Sequence, residues 1–528
     1  MVKKIWTRKR PLNVKGKVLH YRLTDPKYLF QDAALTTPVT AVDQIVRGVK
    51  AILGPNLNTG SGQFKGTGGG ILFGATNSLY STGNSGFASS AFTWMGVIKV
   101  ATIPGSGNRN VFRCGADTRA MTFRHTVNTN YLFQANVASS NYVQSGARIQ
   151  AGEWFLVTVT YDGAGNGAFY INGHADATKV AAALVGPDNG RVCVGGMWDA
   201  NGMDGSIAEA VLFNRVLSQV ERIAAEKELV RLHIDKIEYR PLYVSTLPGI
   251  GNSANQGYFK GKPYESTFRA GSRLGSNGLN SEGTIRLQSS ATYPDKGNTA
   301  AGGGIDFNYD KRIRVLAWDN GPTYFSANTI DANTGWQQVN GDVWRFYCGS
   351  VITGVSVARS LWFTGIPGEA AGLFWRPRWP GNNVAEKTTN PPEGQFGYFF
   401  MDLPNYETVP DTGVLGWLYV HFPAGTGDPN GKGGVISGAP SCVQIATPAG
   451  VLIDQPIAMG GYNAVIRVGV TNRLGTAWIV GGDLRYGFVG VGTGSAICNV
   501  VCLRTKGRAS IAPGPSSFLA GSIGRVQA

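Results

Sequence analysis

The chain is short of acid. Its 528 residues hold 33 Asp and Glu against 48 Lys and Arg, giving a formal net charge of +15 and a pI of about 9.5. Glycan hydrolysis by paired carboxylates needs two of them about 5–9 Å apart, and no strand-like run here repeats acids at alternate positions. Histidine is also scarce. His20, His125, His174, His233 and His421 stand far apart and show no zinc spacing. The six cysteines (Cys114, Cys193, Cys348, Cys442, Cys498 and Cys502) include no C-x-x-C pair, so reduced, buried thiols are expected. Cys498 and Cys502 sit four apart along one strand, too far for an unstrained disulfide. No apolar run approaches the roughly 18 residues that span a bilayer. The basic start runs into Pro11 and Asn13 without an apolar core, so no signal peptide is expected and synthesis in a cytoplasm is. There is no G-x-S-x-G elbow. Residues 425–432 imitate a phosphate-binding loop, but the spacing is one too long and Gly433 stands where Ser or Thr should be.

Glycine and aromatics are plentiful. Gly 74 is about twice the usual share, aromatics make up 11%, and charged residues only 15%. That mixture describes many short strands joined by tight turns, so the expected class is all-β. Positive charge gathers at the start, in Lys3, Lys4, Arg8, Lys9 and Arg10, then Lys15, Lys17 and Arg22. Such an arm reads as a docking tail for an acidic neighbour. A solvated terminus is the alternative.

Residues 153–229 are the most legible. Phe155, Val157, Val159 and Tyr161 alternate with Leu156, Thr158 and Thr160, the period of a strand. Asp162-Gly163 and Gly165-Asn166-Gly167 supply a reversal, Phe169–Ile171 the return strand, and Asn172-Gly173 its end. Gly205–Phe213 reads as another strand. Ser218 with Glu221 forms a capping box, and Val220, Ile223 and Ala224 give the helix after it an apolar stripe.

This order of strand, Asn-Gly hairpin, Gly-led strand and Leu-Ser-x-x-Glu helix resembles a laminin-G-like or pentraxin-like domain. Ile71–Phe73 and Phe92–Ile98 resemble that family's early strands. Residues 25–34 and Thr37–Thr40 resemble the opening of tailed-bacteriophage proteins carrying the module. The resemblance implies a concanavalin A-like jelly roll, and Ala208 departs from it where many relatives carry an acid. Glu209 is then alone on its strand, with Ile207 and Val211 as expected same-face neighbours, and a structural or rim role is expected for it. Relatives often bind calcium through loop acids. Asp162, Asp199 and Asp204 lie near turns, but their spacing favours turn-forming roles, so no cofactor is expected and calcium is the one candidate. Sugar binding in this fold uses aromatics and amides, which singles out Trp198, Asn201 and Met203 near one edge and Tyr131 and Tyr142 near another.

The expected organisation is a basic arm (1–16), a jelly-roll sandwich with one short helix (17–233), a connector (234–257), a second β-sandwich or barrel region (258–511) and a Gly/Ser/Pro-rich tail (512–528). The second region carries strand-like runs at 312–318, 343–348, 416–422, 464–470, 477–480 and 497–503. Trp375, Arg376, Arg378 and Trp379 form a cluster that either stacks on a ligand or packs as a loop. The expected function is a non-enzymatic structural protein of a bacteriophage virion, in tail fibre, tail tip or capsid surface. It would bind host glycan or other virion subunits and form a homo-oligomer, without membrane insertion or nucleic-acid binding. The alternative is a polysaccharide-degrading enzyme with a lectin-like module. DNA binding, suggested by charge alone, is a third reading.

Overall fold

The alternating run becomes the strand Trp154–Asp162, paired antiparallel with Ala91–Val100 on one side and Gly167–Ile171 on the other. One face of it is apolar and one mixed, so burial of Phe155, Val157, Val159 and Tyr161 fixes the register. The Asp162 carboxylate accepts hydrogen bonds from the Ala164 and Asn166 amides (2.8 and 3.0 Å), closing the hairpin. The return strand ends where Asn172 and Gly173 take positive φ (51° and 81°).

In this computed structural model the chain folds as two units, residues 1–241 with 258–262 and residues 242–257 with 263–528. Residues 14–267 are described apart from breaks, among them 59–63, 116–120, 127–132, 181–189 and 197–201. Farther on the described residues are chiefly the strands and the turns beside them.

The first unit is a sandwich of two antiparallel sheets. One has nine described strands, centred on Trp154–Asp162, Ala91–Val100 and Gly205–Phe213, with Lys17–Arg22 paired to the last. The other has ten: Lys179–Val180, Asn141–Gln144, Phe133–Val137, Met121–Thr126, Asn108–Cys114, Val192–Val194, Leu79–Ser81, Leu57–Asn58, Gly48–Val49 and Leu29–Phe30. Between them Trp94 meets Phe112 with ring centroids 5.8 Å apart. This is the expected all-β, concanavalin A-like sandwich.

The helix Gln219–Leu232 lies on the outer face of the nine-stranded sheet, its Ser218–Glu221 capping box formed. Ala225 and Leu229, with Leu217 before the helix, close a cluster on Met95, Val97, Leu156, Val211 and Phe213. The expected stripe is corrected. Val220 is 78% exposed, and the buried helix residues are Arg222, Ala225, Glu226, Leu229 and Leu232. Two of these are charged, and they are buried because they pair with each other. Residues 242–257, read from sequence as part of a connector, fold with the second unit. Tyr258–Lys262 return to the first, where Tyr258 stacks on His174 and Phe259 meets Phe155 edge to face.

In the second unit the region read as a sandwich or barrel takes the form of a parallel solenoid. Three sheets run side by side, and their strands recur in turn. Val451–Asp454, Pro456–Met459 and Ile466–Val468 make one coil, Gly475–Val480, Asp483–Arg485 and Val491–Thr493 the next, and Ile497–Leu503, Lys506–Gly507 and Ile511–Ala512 a third. Each pairs parallel with its counterpart one coil on. Two earlier coils begin at Glu282 and Arg312, and the second is interrupted by a long insertion carrying two four-stranded antiparallel sheets. Buried ladders run through the stack, one of Ile313, Val451, Ala477 and Val500, another of Val315, Ile453, Ile479 and Cys502.

The corners also stack. Gln455, Gly481 and Arg504 all take positive φ (45°, 67° and 55°). The Gln455 amide donates to the Val480 carbonyl (2.7 Å) and the Gly481 amide to the Leu503 carbonyl (2.6 Å). The imitation phosphate loop has a structural job. Asn430 accepts from the Trp336 amide (3.0 Å) and donates back to its carbonyl (3.2 Å).

Gly482 follows the corner at φ 86°, and a Cβ there would lie 2.2 Å from the Pro456 carbonyl oxygen. Gly482→Ala is expected to destabilise the second unit by about 2 kcal/mol. Gly425→Ala, at φ 85° with open space around it, should cost about 1 kcal/mol. Urea unfolding of the two variants checks this, and equal midpoints would contradict the stacked corner.

Candidate functional site

The strand Gly205–Phe213 is wholly buried, yet it carries a carboxylate. A bulge at Ala208 sets its position, because Ile207 opposes Ile98 while Glu209 opposes Val97. Glu209 therefore shares the helix-side face with Val211 but not with Ile207, which corrects the expected same-face pair. At 0% exposure, Glu209 Oε1 accepts from His20 Nε2 (2.6 Å) and Arg22 Nη2 (3.4 Å), and Oε2 from His233 Nε2 (2.7 Å). Burial opposes ionisation of this carboxyl. The hydrogen bonds from His20 and His233 and the charge of Arg22 outweigh it and hold the group well below the usual carboxylate range. Because His233 caps the helix C-terminus and His20 and Arg22 lie on Lys17–Arg22, one carboxylate ties three segments together.

A second buried carboxylate, Glu226, takes both oxygens to Arg222 Nη1 (2.8 and 2.7 Å). The Arg222 guanidinium lies 3.6 Å above the Tyr170 ring. Burial pushes the Glu226 carboxyl up, and Arg222 opposes that without cancelling it. Other acids of this unit hold backbone. Glu153 accepts from the Lys260 and Gly261 amides (2.8 and 2.6 Å) and Asp176 from the Gly146 amide (2.7 Å). Of the acids weighed for calcium, Asp162 closes its hairpin, Asp204 accepts from Thr102, and Asp199 lies outside the described residues. Among the described residues no three His, Cys, Asp or Glu converge on a point that would hold a metal.

The ten-stranded sheet has a different character. Phe112, Ala135 and Val143 are buried and face the core. Their strand neighbours Arg113, Gln134, Gln144 and Tyr142 consequently face outward, since successive side chains alternate. Register aligns them into two rows. One runs Tyr80, Cys193, Arg113, Thr122, Asn136 and Tyr142, the other Asn110, Arg124, Gln134, Gln144 and Lys179. At about 4.8 Å per strand, Arg113 stands about 10 Å from Tyr80 and about 14 Å from Tyr142. Tyr80 and Tyr142 are half-buried, and Arg113, Gln134 and Gln144 are recessed at 6%, 8% and 8% exposure. Two phenols, two amides and one guanidinium on one face can hydrogen-bond several hydroxyls and cover an apolar ring face.

Of the residues singled out from sequence, Tyr142 lies on this face. Met203 is corrected. It is fully buried, its amide donating to the Gly195 and Asn110 carbonyls (2.9 and 3.2 Å), so no surface ligand meets it. Trp198, Asn201, Tyr131 and the arm residues Lys3, Lys4, Arg8, Lys9 and Arg10 lie outside the described residues, as do Arg376, Arg378 and Trp379. Sequence reading missed Tyr80, Arg113, Gln134 and Gln144. Polar-apolar alternation in 108–114, 133–137 and 141–144 was the available signal.

Residues 73–221 match a family model described as the concanavalin A-like lectin/glucanases superfamily. No curated protein sequence matches the chain. Among solved structures, a Trypanosoma rangeli sialidase matches at 13% identity and a TM-score of 0.29, over 42% of this chain and 34% of that one. The chain thus spans about a third of that enzyme's length. A pentraxin from Limulus polyphemus matches at 20% identity and 0.22, over 28% of this chain and 75% of its own. Domain 4 of the arabinanase AbnA from Geobacillus stearothermophilus, in complex with arabinotriose, matches at 14% identity and 0.27, over 40% of this chain and 97% of the domain. The family description joins lectins with glucanases, and this overturns the expectation that the protein is not an enzyme.

Breaking the Glu209 cluster leaves the buried Arg22 guanidinium and the His20 and His233 ring nitrogens without their carboxylate acceptor. Glu209→Gln is expected to cost the first unit about 3 kcal/mol at neutral pH. Because the folded carboxyl is depressed, its contribution is complete above the unfolded value of about 4.3 and is lost as pH falls through and below it. Hydrogen exchange of Ala91–Val100 peptides should show the gap between wild type and variant at pH 7 and its closing below about pH 4. A gap independent of pH would contradict the assignment.

Proposed function

We propose that the protein engages polysaccharide and that its first unit holds a saccharide against the outer face of the ten-stranded sheet, as a binding or glycosidase-type module. The observation that carries this reading is the aligned set of Tyr80, Arg113, Gln134, Gln144 and Tyr142 on one face. Sugar hydroxyls match amide and guanidinium groups, and a phenol ring covers the apolar face of a pyranose. The description of the matched superfamily as lectins and glucanases supports the same substrate class and favours a hydrolytic reading beside the binding one.

The setting we infer is the particle of a tailed bacteriophage, with the protein docked through Lys3, Lys4, Arg8, Lys9 and Arg10 and assembled as a homo-oligomer. The resemblance of residues 25–40 and the basic arm support it. Immunogold labelling of purified particles tests it, and particles that never carry the label would overturn it.

The full chain is expected to be retarded in native gels cast with a bacterial polysaccharide. Tyr142→Ala should weaken that retention about tenfold, as for loss of one well-packed ring contact. Reducing-sugar release from the same polymer separates the two modes, since release marks hydrolysis and retention alone marks binding. Neither retention nor release across a broad panel would overturn the reading.

A further inference from the structure

In the solenoid strands Val451–Asp454 and Gly475–Val480 burial alternates residue by residue. Val451, Ile453, Ala477 and Ile479 therefore point into the stack, and Leu452, Asp454, Trp478 and Val480 point out. Parallel register sets the outward residues in rows. One runs Arg314, Leu452, Trp478 and Val501, the next Asp454, Val480 and Leu503. Leu452, Trp478, Val480 and Val501 are half-buried, and Leu503 is 44% exposed. An outer face that stays this apolar across three coils marks an interaction surface. Trp478 lies along it. Gly450 takes φ 96°, and a Cβ there would stand 2.2 Å from Trp478 Cζ3, so the indole covers the Gly450 backbone. Charge is confined to one end of the face. Arg314 is exposed and Asp454 half-buried, one coil apart, and no salt bridge joins either to a described residue.

We propose that a second copy of the chain docks on this face, which rests on the homo-oligomer inferred above and gives it a surface. The two stacks lie side by side and point the same way, related by rotation about an axis parallel to the stack. Two copies share one coil spacing of about 4.8 Å, so like coil meets like coil along the whole face. Leu452, Trp478, Val480, Val501 and Leu503 then pack on the same levels of the neighbouring copy, with Trp478 as the aromatic anchor. Arg314 of each copy reaches one coil along to Asp454 of the other. The opposite orientation would set Arg314 against Val501 and Leu503 and bury its guanidinium without a partner, which is strongly unfavourable. An oligosaccharide fits less well. A sugar site needs polar groups converging around the ring, whereas Leu452, Val480 and Val501 surround Trp478.

Sedimentation equilibrium of the full chain at micromolar concentration tests this. Wild type is expected to associate. Trp478→Lys and Leu503→Lys should each raise the dissociation constant at least about tenfold with unchanged far-UV circular dichroism. Should Trp478→Lys fail to fold, Leu503→Lys, at an exposed position, carries the test with the charge variants. Arg314→Asp and Asp454→Arg should each weaken association about fivefold, and the two together should restore it. Two charge variants that weaken association without rescuing each other would overturn the parallel arrangement. Association unchanged in every variant would overturn the assigned face and keep the homo-oligomer. A monomeric wild type would overturn both.

Discussion

One buried carboxylate organises the first unit. Glu209 lies in a strand with no exposed residue, and its two oxygens are taken by His20, Arg22 and His233. A buried charge is tolerated only when its partners are in place. The pairing therefore ties the N-terminal strand and the helix C-cap to the centre of the nine-stranded sheet. Glu226 and Arg222 repeat the device about two to three helical turns back from that cap, against Tyr170. With the helix committed to that sheet, the outer face of the other sheet is where polar side chains gather without strand acids among them.

The second unit relies on repetition instead of charge. Its buried ladders are aliphatic apart from Cys502, and its corners repeat a left-handed backbone conformation in three residue types. Each coil covers the apolar edge of the one before it, so stability accumulates along the stack.

Local signals in the sequence were legible where one segment carries its own pattern. The hairpin at Asp162–Gly167, the Ser218–Glu221 capping box and the long strand at 91–100 are such cases, because period and turn chemistry lie within a dozen residues. The helix face was misread because Arg222 and Glu226, which look like surface residues, are buried as a pair. The solenoid was hidden for a different reason. Its coils share neither length nor a fixed corner residue, and only the backbone angle of Gln455, Gly481 and Arg504 unites them. The polar face was hidden because Tyr80, Arg113, Gln134 and Gln144 come from four strands, and register alone sets them together. Met203 was chosen by residue type and nearness to a loop, and neither reports burial.

The central claim is that the ten-stranded sheet, and not the helix side, meets the saccharide. Hydrogen–deuterium exchange of the full chain with and without a bound oligosaccharide tests it most directly. Slowed exchange is expected in peptides covering 108–115 and 133–146, with 219–232 unchanged. Protection confined to the helix or to the solenoid coils from 451 to 512 would contradict it.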